Sequence, residues 1–330
     1  MGVMSQFGND LYSGKVSFPF VSKRRVWFIV AAVLVIAAAL VPLIRPVQFS
    51  IEFTGGSQFT VSKIANPNQE LASAAVRSIV PDATTKVTTV GADGVRVQTN
   101  QMTSDQTQAV STALAKQFDV AEKEVTASFI GPTWGQDVTR QSLWGLAIFL
   151  ALTFLILALY FRTWKMSAAA IIGLVDVLVI TIGIYAVAGF EISPAAVIGF
   201  LTILAYSLYD VTVVFDKIRE TTHEDSELHA ERTFGESVNL AVNQTLVRSI
   251  NTTVVAVLPV GAILFIGAFW LGAQTLSDIS LSIFVGIIVA AYSTLFVAAP
   301  LYSLFREREP ALKAHDKQVR KRRAQAAIAA

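Results

Sequence analysis

Residues 199–220 read GFLTILAYSLYDVTVVFDKIRE, and one acid lies inside their apolar run. Apolar side chains lead up to Asp210 and resume after it as VTVVF; the water-seeking group Asp216, Lys217, Arg219 and Glu220 comes only later. A charged side chain at the centre of a spanning helix costs roughly 3 kcal/mol on insertion scales, so an acid there belongs on a face turned toward the interior of a bundle. The stretch thus reads as one spanning helix of a polytopic α-helical membrane protein, with Asp210 facing its neighbours.

Composition agrees. Over 330 residues the chain is 53% hydrophobic and only 15% charged, too apolar for a soluble globular protein of this length. Its net charge of +2 gives no ground for a nucleic-acid partner. With no cysteine, disulfides, thiolate metal sites and thiol nucleophiles are excluded. The histidines His223, His229 and His315 form no metal-ligand pattern. No nucleophile–base pair or phosphate loop appears, so the reading is not an enzyme, and no cofactor is implied.

A spanning helix needs about 20 apolar residues. Residues 26–44, 141–161, 167–190, 194–215, 249–271 and 280–305 meet that length. The first run exceeds the h-region of a cleaved signal, so it reads as a retained anchor. Lys and Arg concentrate before span one, between spans two and three, between spans four and five, and in the tail from Arg306 to Arg323. By the positive-inside rule, residues 1–25 and 306–330 are cytoplasmic and 45–140 faces outward.

The outward segment reads β-α-β-β-α-β, the order of a ferredoxin-like fold. Strands fall at 57–63, 83–90, 95–100 and 123–130. Helices fall at 66–80, with Leu71, Ala75, Val76 and Ile79 on one face, and at 103–118, with Val110, Leu114 and Phe118 on one face. It carries no clustered catalytic residues and reads as a handle or docking module. The loop 217–247 holds an amphipathic helix expected on the inner membrane surface, and the basic tail 306–330 reads as a mobile tail near anionic lipid or ribosome-rich cytoplasm, with a solvated topology anchor as the alternative.

Two polar stripes mark the bundle interior. Tyr206 and Ser207 lie one turn before Asp210; Gln244, Arg248, Asn251 and Thr252 open span five at steps of three or four. If both helices run straight, Arg248 lies near the depth of Asp210. Burial favours the neutral acid and a nearby guanidinium favours the carboxylate, so separating and rejoining the pair would take up and release a proton. Two other readings stay open: Asp210 as a structural partner of Arg248, and Arg248 snorkelling to the headgroups. Asp176 is a second intramembrane acid, suited to a helix-packing hydrogen bond or to a relay. Ser282, Gly286 and Ala290 give span six a small-residue face for close packing.

Four stretches, in order, resemble motifs of the SecD/SecF family of protein-export membrane proteins: IEFTGG (51–56), GPTWG (131–135), AYSLYDVTVVFDKIRE (205–220) and NQTLVRSINTT (243–253). The resemblance implies an RND-type half of six spans that uses the proton-motive force in the late stages of export, with SecD supplying the other half. It implies the SecYEG translocon, accessory proteins of the YajC and YidC kind, the translocating preprotein and the lipid bilayer as partners, in a bacterial cytoplasmic membrane. The driving ion is H⁺, with Na⁺ as the alternative. It also gives residues their roles: Asp210 and Arg248 in proton coupling; Asp176, Ser207, Asn251, Thr252 and Thr253 in the surrounding polar patch; Glu52, Phe53, Gly55, Gly56, Gly131, Pro132 and Gly135 in the motifs. Ala205 and Tyr209 depart from the family's Gly and Asn, and Val175 stands where a His is common. The competing readings are a half-size RND-type exporter of lipids or small molecules, and a translocase scaffold that conducts no ion.

Overall fold

The computed structural model describes residues 9–91, 93–223, 231–267 and 274–329. His229, part of the loop 217–247 and the start of the turn 272–278 lie outside them.

Among the described residues, six helices are long and apolar enough to cross a membrane. The first, α1 (Arg24–Ile44), is followed by β1 (Gln48–Phe49) and a single turn, α2 (Ile51–Thr54). The domain between α1 and Pro132, outer in the sense that it lies at the far end of the bundle from the tail helix, then runs β2 (Gly56–Val61), α3 (Gln69–Ile79), β3 (Thr85–Val90), β4 (Gly94–Thr99), α4 (Ser104–Gln117) and β5 (Val125–Ile130). Its strands pair antiparallel in the order β3-β4-β2-β5, as in a ferredoxin-like fold. Asn68 accepts from the backbone of Glu70 and Leu71 to start α3, and a Thr103–Gln106 capping box starts α4. Phe59, Val61, Val76, Val95, Val97, Val110 and Leu114 fill the core. The buried face of α3 differs from the expected one: Ala72, Ala75 and Val76 point inward, whereas Leu71 and Ile79 are exposed. Small residues let α3 lie close on the sheet, and that rotates the larger side chains to its rim.

The bundle continues with α5 (Pro132–Phe161), α6 (Trp164–Ala188), β6 (Glu191–Ile192), α7 (Pro194–Thr221), α8 (Phe234–Phe265), α9 (Gln274–Ser293), a π-helical segment Thr294–Ala298, α10 (Ala299–Arg306) and α11 (Pro310–Ala329). The small-residue face of α9 packs on α7. A Cβ at Gly286 would strike Ile203, and one at Gly199 would strike Ser282.

Two expectations are corrected. The separate surface helix of 217–247 is instead the start of α8. A Thr233–Glu236 capping box opens that helix, and no Gly or Pro interrupts it between Gly235 and Pro259. Its face Phe234, Val238, Ala241 and Val242 is buried against Phe215, Ile218 and Tyr302, so protein rather than headgroups covers it. The tail is also a docked helix: Arg323 grips Glu236 through two hydrogen bonds of 2.8 and 2.9 Å.

Backbone, motif and charge contacts join the outer domain to the bundle. β1 pairs in parallel with β6, aligning Gln48 with Glu191. Gly135, in the first turn of α5, lies on the Phe53 carbonyl, where any Cβ would collide with backbone. The IEFTGG and GPTWG motifs are therefore two sides of one joint. Gly55 and Gly56 complete it with φ of 73° and 141°, values side chains resist.

Candidate functional site

Two buried acids lie where α6, α7 and α8 pack on the last spanning helix. Asp210 on α7 is 7% exposed and accepts from Ser249 Oγ of α8 at 2.9 Å. Its other oxygen, Oδ2, is buried beside Thr294 of the π-helical segment, without an aligned hydrogen bond. Asp176 on α6 is 6% exposed and lies beside Ser293, whose hydroxyl donates to the Gly173 carbonyl at 3.0 Å. The two acids thus flank consecutive residues, Ser293 and Thr294, where the last spanning helix widens. A π-helical turn shifts helix register locally and recurs at functional sites.

The site differs from the one expected. Among the described residues no ion pair joins Asp210 to Arg248. Arg248 is exposed and donates to the Tyr209 hydroxyl at 3.2 Å, so the residue departing from the family pattern holds the arginine. Ser207 is buried at Asp210's side with its hydroxyl unpaired. Thr252 and Thr253 spend their hydroxyls on the carbonyls of Arg248 and Ser249, both at 2.8 Å. Asn251 is exposed beside Arg248. The sequence reading missed Ser249, Ser293 and Thr294. Ser249 was signalled by its place next to Arg248, but helix rotation decides which of two neighbours faces α7.

At the opposite end of the bundle from both termini, a second polar cluster ties domain to helices. Lys86 of β3 pairs with Glu191 of β6 at 2.5 Å, and Gln98 of β4 donates to the same carboxylate at 3.0 Å. Ser193 donates to Asp278 of α9 at 2.6 Å. Arg96 of β4 is 8% exposed; burial pushes its guanidinium below its ordinary value, and the charges of Glu191, Asp278 and Glu52 oppose that. Glu52, in the first motif, thus belongs to this cluster. Gly131 caps α5, and Pro132 occupies its first turn.

Fold and site together define a polytopic helical membrane protein with a small outer domain locked to a bundle that buries two acids. A family model described as "Protein export membrane protein SecD/SecF, C-terminal" matches residues 110–308. The protein translocase subunit SecF of Streptomyces coelicolor is 40% identical over 99% of this chain and 87% of its own length. The Mycobacterium tuberculosis SecF (H37Rv) is 36% identical over 96% of this chain and 73% of its own. The crystal structure of SecDF, a translocon-associated membrane protein from Thermus thermophilus, superposes with a TM-score of 0.77 at 26% identity, covering 93% of this chain but only 40% of that one. Its super-membrane-facing form superposes with a TM-score of 0.64.

The chain belongs to the SecD/SecF family of protein-export membrane proteins, which places it among multi-pass protein translocase subunits.

Proposed function

We propose that this chain is one half of an ion-driven export motor: proton binding and release at Asp210 moves the bundle, and the outer domain carries that movement to a polypeptide leaving the translocon. SecD supplies the second half. The observation that carries the reading is the outward face of α8. Arg248 stands one residue from the serine that holds Asp210, hence at the acid's depth, yet it and Asn251 are exposed on the single chain. A guanidinium at that depth needs a polar companion surface. SecDF of Thermus thermophilus and of Bacillus subtilis are single chains of which this one spans 40% and 38%.

Among the described residues of the half, Asp210 accepts one aligned hydrogen bond, from Ser249, and forms no ion pair. Protonation removes its charge, and ionisation calls for a donor that Arg248 would supply only by leaving Tyr209. The acid's charge state would thereby set the rotation of α8 against α7. Because α9 and the π-helical turn that continues it join Ser293 and Thr294 to Asp278, displacement at the acids would reach the outer cluster along one continuous helix. The motor would lie in the bacterial cytoplasmic membrane with both termini inside.

The test uses inverted vesicles with equal amounts of SecYEG and SecD, comparing wild type with Asp210→Asn. Completion of preprotein export is followed with no gradient, a proton gradient and a sodium gradient. A proton gradient should speed export in wild type alone. Equal acceleration in the variant would favour the scaffold reading, and acceleration by sodium alone would change the ion.

A further inference from the structure

A cavity of about 780 Å³ opens at the end of the bundle that carries both termini, between the segment before α1, the start of α8, the end of α10 and the tail helix α11. Its wall is unusually cationic. Arg24, Arg25, Arg232, Arg320 and Arg323 line it against the acids Glu236, Glu307 and Asp316. The acids are already engaged. Glu307 takes Arg24 at 2.7 Å, Glu236 takes Arg323, and Asp316 accepts the Phe234 backbone N–H at 2.8 Å. Arg25, Arg232 and Arg320 enter no ion pair with any described residue. Three guanidinium groups from three separated parts of the chain therefore converge on one space, unpaired among the described residues. The guanidinium fork matches phosphate oxygens, and basic pockets at the membrane surface are suited to phospholipid headgroups.

A second observation separates a lipid from a soluble phosphate. The cavity adjoins the first turn of α1, and from Arg25 the i+4 steps reach Ile29 and Val33, which are 64% and 59% exposed, with Ile36 57% exposed just beyond. The only buried residue of α1 is Ala31. A ligand with its head among the arginines would thus have an uncovered apolar track leading away from it.

We infer that this cavity binds the phosphate headgroup of an anionic glycerophospholipid, with the acyl chains lying along the exposed face of α1. The lipid would bridge α1 to the start of α8 and the tail helix; the latter two already meet through the Arg323–Glu236 pair and the Phe234–Asp316 hydrogen bond, whereas α1 is tied by Arg24 to Glu307, just past α10.

The purified full chain in neutral detergent is offered dioleoyl phosphatidylglycerol, dioleoyl phosphatidylcholine or inorganic pyrophosphate, and retained molecules are read by native mass spectrometry. Wild type is compared with the triple variant R25Q/R232Q/R320Q and with K313Q/K317Q/K321Q, which removes equal charge from exposed positions of the tail helix. A basic side chain near an anionic surface contributes about a factor of five, so the pocket triple should lose on the order of a hundredfold in phosphatidylglycerol affinity. The control triple should lose far less. If the pocket triple misfolds, R25Q and R320Q singly should each lose about fivefold. Equal losses in the two triples, or equal retention of phosphatidylcholine, would overturn the site. Pyrophosphate binding without phosphatidylglycerol retention would assign it to a soluble ligand. Loss of the lipid from the complex with the partner half would assign the α1 face to protein and overturn the lipid assignment.

Discussion

Lys86→Ala should loosen the outer domain from the bundle. Lys86 Nζ and Glu191 Oε1 are 2.5 Å apart, with side chains 34% and 10% exposed. Exposed pairs contribute about 0.2–1 kcal/mol, and breaking a fully buried one costs about 3–5 kcal/mol. A lysine one-third open to water places this contact between those limits, at about 1–3 kcal/mol, or roughly 5- to 150-fold in the docked-to-undocked ratio. The β1–β6 pairing and the Gly135 joint remain, so the domain should swing at its β3–β4 edge instead of detaching. The chain has no cysteine, so spin labels placed at Lys116→Cys and Ile198→Cys report this distance without background. Electron–electron resonance should show one narrow distribution for the labelled parent and a second, longer population in Lys86→Ala. Glu191→Gln should give the same population, and the double variant little more, because both remove one contact. Unchanged distributions in both single variants would sink the view that charge holds this edge.

The joint itself should be less forgiving. Gly135→Ala forces a Cβ into the Phe53 carbonyl and should lower the melting temperature in detergent by several degrees, whereas Gly145→Ala, which meets nothing within 4 Å, should be silent. At the other end of the bundle, Glu309 accepts from Lys165 at 2.9 Å and Arg306 at 2.8 Å. Burial pushes its carboxyl up, but these two cations outweigh burial and hold it below the ordinary glutamate range. A depressed acid contributes stability above its unfolded pKa and loses it as pH falls through the folded one. Tail docking, read by hydrogen exchange of α11, should therefore weaken in acid by up to about 1 kcal/mol, and Glu309→Gln should remove that pH dependence.

Much of the architecture was legible because its causes are local. Apolar length alone fixes the spanning segments, since a bilayer accepts only helices or closed barrels. Alternation and capping residues mark the outer domain's strands and helices, and the burial of Asp210 follows from the cost of a charge in lipid. Where local signals end, the reading drifted. The stretch 234–247 has the same amphipathic pattern whether lipid headgroups or Phe215 and Tyr302 cover its apolar face, and only the packing of α8 selects the second. Nor does i, i+4 spacing separate Leu71 from Ala72 as the residue facing the sheet.

The acid site divides in the same way. That Asp210 sits among polar residues at the depth where span five begins is written in the sequence, through periodicity and the energetic cost of isolating it. Which neighbour donates to it is not. Arg248 and Ser249 differ by one residue, about 100° around the helix, and the rotation of α8 against α7 places the serine on the carboxylate and the arginine on Tyr209. The placing of Asp176 beside Ser293 and of Asp210 beside Thr294 joins positions more than 80 apart in the chain. Spacing along a strand of sequence carries no record of such a crossing; close packing of small residues on α9 and the π-helical turn decide it in three dimensions.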